Sequence, residues 1–344
     1  MQERTSELSG RKAAILRALV KHYIRTGEPV GSEMLAQASG LHVSSATIRT
    51  ELAALEELGY LTQPHTSAGR APTDQAYRFF VDTLSGRTRM RETERRAVVA
   101  FFDEALSDVD EILRGTTHLL SRLTRYASLA LAPRAHDSPI VRCELIGLGS
   151  ATLLLVVFET GQVEKRVVEL PDGLAAKDLD QLSRLAMELT TGKTLADSKR
   201  AIEERLQETP DEALSRVAEA LGQIEESGTG EHVVFGGVAN IAAEEAFHRR
   251  ESLQQVYEAL ERESAILAML REAAVLEPLS VTIGRENTLP EMWEASVIAA
   301  PFGGTGASGT IGVVGPTRMD YAAAISAVRV VAERLSAAVE ALRG

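Results

Sequence analysis

The hydrophobic period switches from helical to strand-like and back within the first 84 residues, and that switch restricts the fold more than any other feature of the chain. Ile15, Leu16, Leu19, Val20, Tyr23 and Ile24 recur at helical spacing across 9–25, and "TGEPVGS" ends that helix with Gly27 and Pro29. "SEMLAQASG" predicts a short second helix stopped by Gly40, and "LHVS" is a turn. Ser44 is a good N-cap for a third helix that runs to Gly59. "YLTQPH" and "GRAPT" then read as two short strands around a tight loop, and Asp74 caps a fourth helix, "QAYRFFVDTL". Helix, helix, turn, helix and a two-stranded wing is the order of a winged helix-turn-helix, predicted here over 1–86.

"SGRTRMRETER" follows as a charged linker, 87–99. Helical periodicity resumes from about 95 to 131 with a break near Gly115, and "APRAHDSP" is a loop. Three strands are expected at 140–149, 151–159 and 162–170, with Gly161 in the hairpin turn. Residues 171–228 read as helix, "HVVFGGVANI" as a strand, and 242–273 as a long helix. "LSVTIGREN", "ASVIAAPF" and "GTIGVVGPT" return to strands before a closing amphipathic helix, 321–342. A sheet interrupted by a helical block and then resumed predicts one domain inserted into another. The expected fold class is α+β and multidomain: the winged helix, a discontinuous α/β unit at 100–170 and 275–344, and a mainly helical insertion at 171–274.

Charge separates the N-terminal unit from the rest. The whole chain carries 37 Lys/Arg and 49 Asp/Glu; residues 1–91 hold 12 and 9 of these, a net +3, which leaves −15 elsewhere. The most apolar window, "LIGLGSATLLLVVF", is too short to cross a bilayer, and no charged-then-apolar leader opens the chain, so a soluble cytoplasmic protein is expected. The single Cys143 excludes an internal disulfide and sits in a strand-like run, the setting of a buried, inert thiol.

The third helix carries the chemistry. Ile48, Leu52 and Leu55 share its inner face, while Ala46, Thr50 and Ala53 lie opposite with Arg49 beside them. The outward row is small or hydrogen-bonding at the N-terminal half and acidic, at Glu56 and Glu57, only at the C-terminal half, so the helix would enter a major groove N-terminus first. Arg49 suits bidentate guanine readout, and Ser45 or Thr50 can bond several base edges. Ser44, Thr47, His65, Thr66, Ser67 and Arg70 suit phosphate or minor-groove contacts. The competing structural reading makes Ser44 and Thr47 helix caps and pairs Arg49 with a neighbouring Glu.

Enzyme-like patterns fail on context. "GTGASG", 304–309, matches G-x-G-x-x-G but continues as a strand, where a phosphate site needs a helix. "TGKT", 191–194, lacks the Gly-rich cradle of a P-loop and reads as a helix stop and a new start. No two histidines share metal-site spacing and no G-x-S-x-G occurs, so neither enzyme activity, cofactor nor metal is expected. Arg318, in "GPTRMDY", is assigned to pairing with Asp320 or another carboxylate, with a ligand role as the alternative.

"SSATIRTELAALEELGYL" and "PHTSAGRAPTDQAYRFFVD" resemble the heat-inducible transcription repressor family, HrcA, and "VTIGREN", "SVIAAP" and "GTIGVVGPTRMDYAAAISAV" are similar to that family's C-terminal blocks. Thr50 stands where the family usually has Asn, and Ala76 where it has Gly; Thr cannot make the bidentate adenine contact open to Asn. The resemblance implies a GAF-like domain for the discontinuous unit and an inserted dimerising domain. It further implies a homodimeric repressor that binds a palindromic operator upstream of chaperone genes and is modulated by the chaperonin. The alternative function is a regulator whose GAF-like domain senses a small molecule, in a pocket between strands 140–170 and 281–314.

Overall fold

The computed structural model describes residues 8, 10–38, 43–65, 68–84, 89–103, 109–132, 138–149, 151–159, 162–171, 175–227, 233–240, 250–262, 266–270, 278–303 and 309–343. The opening elements follow the predicted order: α1 (Gly10–Thr26), α2 (Ser32–Ala38), α3 (Ser45–Glu57), β1 (Leu61–Thr62), β2 (Ala71–Pro72) and α4 (Asp74–Leu84). Ile15, Leu16, Leu19 and Val20 of α1, Ile48, Leu52 and Leu55 of α3, and Tyr77, Phe79 and Phe80 of α4 face one another and are buried. The strands pair antiparallel, Leu61 opposite Pro72, and Arg70 extends the pairing to Val30 through two 2.9 Å backbone hydrogen bonds.

Asp74 begins α4 but does not cap it. Thr73 accepts the Ala76 and Tyr77 amides on its carbonyl, and its hydroxyl donates to Gly59 O at 2.7 Å. The Asp74 carboxylate instead accepts the backbone N–H of Arg285, far along the chain.

The predicted linker is largely helix. α5 (Glu92–Asp103) starts where two glutamates occupy the first turn, the end of a helix that favours negative charge, and Glu92 pairs with Arg96 one turn on. α6 (Val109–Thr124) runs through Gly115 without a break. A side chain there would meet the Phe101 ring, about 2.6 Å from where its Cβ would sit, so this glycine lets α5 pack closely on α6.

The helix expected to reach residue 131 ends at Thr124. Arg125 adopts φ 63°, and β3 (Ala127–Leu131) follows with every residue buried. A strand covered on both faces need not alternate polar with apolar residues, so its period does not distinguish it from buried helix.

β3 is an interior strand, beside the edge strand β7, in a five-stranded antiparallel sheet of order β7-β3-β10-β9-β8, with β7 (Val233–Gly236), β8 (Ser280–Ile283), β9 (Ala295–Phe302) and β10 (Gly309–Pro316). One face packs on α6 and the closing helix α11 (Tyr321–Arg343), in a core continuous with that of α1–α4. The other face packs Leu129, Val297 and Val314 against Val256 and Leu260 of α10 (Arg250–Glu261) and against Ile266 and Leu270. Of the long helix expected at 242–273 the described residues show α10 and a helical run at 266–270; 242–249, 263–265 and 271–273 lie outside them.

The strands 140–170 do not join this sheet. β4 (Ile140–Gly147), β5 (Thr152–Phe158) and β6 (Val163–Val168) form a separate antiparallel sheet. Its inner face packs Cys143, Leu154, Val156 and Phe158 on α7 (Ala176–Thr190), α8 (Leu195–Glu208) and α9 (Glu212–Ser227), in a core distinct from the other two. The chain thus leaves the large sheet after β3 and rejoins it at β7, whose Val233 is the register partner of Leu131. "TGKT" separates two helices as expected: Thr191 ends α7, and Thr194 caps α8 by accepting the Asp197 amide. β9 and β10 pair antiparallel across "GTGASG", a hairpin connection whose residues 304–308 lie outside the described ones. No described helix is long and apolar enough to cross a membrane.

Candidate nucleic-acid interface

The N-terminus of α3 is built around Ser44. This residue is extended, φ −65° and ψ 150°, and its hydroxyl oxygen accepts the Thr47 amide at 3.2 Å while lying 2.9 Å from the Thr47 hydroxyl. Ser44 therefore caps, and it is also exposed beside the amide groups at the start of the helix, a position that attracts anions.

Ala46, Thr50 and Ala53 are exposed with Arg49 beside them, as the outward row predicts, and Ser45 in the first turn is exposed as well. Arg49 makes no ion pair or hydrogen bond among the described residues, so the predicted competing pair with a neighbouring Glu is not formed. The Thr50 hydroxyl donates to Ala46 O at 3.2 Å. Its proton is thereby used within the helix, and only its lone pairs face outward, suited to an amino group on a base edge.

The acidic side of α3 is held by basic groups from neighbouring elements. Glu51 pairs with Lys12 of α1 at 3.2 Å, and Glu56 with Arg70 at 2.8 Å. Lys12 was not among the sequence candidates; only the packing of α1 on α3 reveals its partner.

Arg70 therefore turns toward α3, its backbone bonded to Val30, and does not project freely from the wing. In the wing itself Gln63 Nε2 donates to Ala68 O at 2.9 Å, and the Ala68 amide donates to His65 O at 2.8 Å, which closes the loop with His65 exposed. Thr66 and Ser67 lie outside the described residues.

A family model for the HrcA protein C terminal domain matches residues 110–325. The chain belongs to the HrcA family. It is 42% identical over 333 residues to the heat-inducible transcription repressor HrcA of Thermobifida fusca (strain YX), covering 94% of this chain and 95% of that protein. It is 40% identical over 334 residues to the heat-inducible transcription repressor HrcA of Nocardia farcinica (strain IFM 10152), at 95% and 96% coverage. Its fold is similar to the crystal structure of a hypothetical protein, at 25% identity and TM-score 0.66, over 98% of this chain and 100% of the other.

Family membership makes the chain a heat-inducible transcription repressor and not an enzyme. No three His, Cys, Asp or Glu side chains among the described residues gather as metal ligands. Cys143 is buried in β4, and desolvation pushes its thiol up to about 11, so it is inert at neutral pH. Arg318 does not pair with Asp320; its guanidinium donates to Ile24 O at the C-terminal end of α1. The sensor alternative loses the pocket it needs, because strands 140–168 and 280–316 lie in different sheets and both faces of the larger one are filled with side chains.

Proposed function

We propose that α1–α4 is a winged helix-turn-helix that binds duplex DNA, with α3 as recognition helix and the 62–71 hairpin as wing. Arg49, exposed beside the outward row of α3 and without a partner among the described residues, carries this reading. Ser45, Arg49 and Thr50 meet base edges; Ser44, Thr47, His65, Thr66 and Ser67 lie along phosphates. Arg70 buttresses the wing and reaches phosphate only by leaving Glu56. The five-stranded sheet with α6, α10 and α11 is the GAF-like domain, and β4–α9 is the insertion, which redraws its limits to about 140–227.

Dimerisation belongs to that insertion. The outer face of β4–β6 exposes Ile146, Val163 and Val167, an apolar sheet face with no described element across it. Glu144, Leu155 and Lys165 are register neighbours in one row. A two-fold axis through Leu155 sets Lys165 of one copy beside Glu144 of the other, so a second copy of this chain fits the face. Two reading units on one dimer match an inverted-repeat operator. Placement of that operator upstream of chaperone genes, and modulation by the chaperonin, complete the proposal and rest on the family resemblance.

The test is selection of duplexes from a random pool by the full-length protein, in parallel with Arg49→Ala. The parent should recover an inverted repeat, and the variant should lose discrimination at one position per half-site, about 1–3 kcal/mol. Unselective binding by the parent would overturn DNA reading by α3.

A further inference from the structure

The sequence blocks similar to the family at the two ends of the chain meet in space, on the side of the N-terminal unit formed by α4 and the end of α1. Arg78 on α4 donates Nε–H to Glu286 Oε1 at 2.8 Å, its Nη2 bonds Glu286 Oε2, and the same Nη2 donates to Val281 O. Glu286 is itself held in place, since its Oε2 accepts the Ile283 amide at 2.9 Å. One turn earlier the Asp74 carboxylate accepts the Arg285 amide at 3.1 Å. That approach requires Gly284, at φ +53°: a Cβ there would lie about 2.2 Å from Asp74 Oδ2. Arg318 makes a second polar anchor at the α1 end, donating to Ile24 O.

Between these anchors the contact is apolar. Tyr77 lies 5.9 Å, centroid to centroid, from the fully buried Tyr321 at the start of α11, within the core common to both units. Apolar burial holds surfaces together without fixing an angle, whereas a bidentate guanidinium–carboxylate pair fixes direction. The seam uses none of the outward residues of α3.

We infer that Arg78 is a positioning residue for operator binding: through Glu286 it sets the direction in which α3 points from the five-stranded sheet, and so the half-site spacing the dimer accepts. The inference rests on the DNA-reading proposal above. In a dimer the second half-site is bound at an effective concentration that depends on how firmly the second reading unit is held at the correct separation. Glu286 is part exposed and keeps its bond to Ile283, so Arg78→Ala leaves no buried charge behind and the chain should fold.

The experiment uses the full-length chain on the inverted repeat it selects, on that repeat with one to five base pairs inserted between the half-sites, and on a single half-site. For Arg78→Ala we expect single half-site affinity within about twofold of the parent, roughly tenfold weaker binding at the parent spacing, and a flattened spacing profile. The double reversal Arg78→Glu with Glu286→Arg should restore the parent profile. An unchanged spacing profile in Arg78→Ala overturns the inference, as does an equal loss on the single half-site, which would assign Arg78 to the folding of the N-terminal unit. Failure of the parent to select an inverted repeat overturns the DNA-reading proposal instead, and this inference with it.

Discussion

Ser44 allows two roles to be separated by two substitutions at one position. Its hydroxyl caps α3 by accepting the Thr47 amide at 3.2 Å, and it is exposed at the end of the helix proposed to meet phosphate. Ser44→Ala removes the cap and should cost about 1 kcal/mol of stability, within a range of roughly 0.5–2. Ser44→Asp keeps a side-chain acceptor of equal capping rank and adds a charge that the helix N-terminus favours, so stability should match or exceed the parent. The same charge faces DNA phosphates. At a separation of about 4 Å, repulsion runs from about 1 kcal/mol in bulk water to about 4 kcal/mol near a protein surface, so affinity should fall at least about fivefold. Urea denaturation gives the stabilities, and fluorescence anisotropy on the selected duplex at fixed salt gives the affinities. If Ser44→Asp is as stable as the parent and binds as tightly, the N-terminus of α3 is not at the phosphates, and the proposed entry of the helix is wrong.

Glu56→Gln should release the Arg70 guanidinium from its 2.8 Å partner, tighten binding to every duplex and steepen the salt dependence by about 0.9 in log–log slope; an unchanged slope would mean Arg70 does not reach phosphate. Burial raises the Asp74 carboxyl above its ordinary value, so the folded state favours its protonated form and stability is lost as pH rises through the ordinary carboxylate range and past the raised value. Asp74→Asn keeps the acceptor for the Arg285 amide and removes that loss; denaturation midpoints from pH 3 upward, compared between parent and variant, should diverge as pH rises, and a constant difference would refute the effect. With its thiol near 11, Cys143 has about one part in ten thousand as thiolate at pH 7. Native protein should resist iodoacetamide until denaturant is added, and prompt labelling of the folded chain would contradict its burial.

The N-terminal unit was legible because each of its boundaries carries local chemistry: Gly27 and Pro29 after α1, Ser44 before α3, Gly59 after it. β3 was not, since burial on both faces removes the alternation that marks a strand. The division of the strands between two sheets was also hidden. "TLLLVVF" is apolar at every position after Thr152 although β5 packs only one face on helices, so nothing local told which sheet it joins. The outward row of α3 followed directly from helical period, whereas the engagement of Arg70 by Glu56 depended on the tertiary placement of the wing beside α3. The seam lay furthest from local reach, because Arg78 and Glu286 are 208 residues apart.

The adjacency of β3 and β7 bears on how such a chain came to be assembled. Leu131 and Val233 are register partners, so the ends of the intervening segment lie about 5 Å apart, a gap that an ordinary hairpin loop of two to five residues closes. The segment between them can be viewed as a cassette spliced into a single β-turn. Its removal would leave the order of the five strands intact, and a different module set in the same place would leave the outward face of α3 untouched.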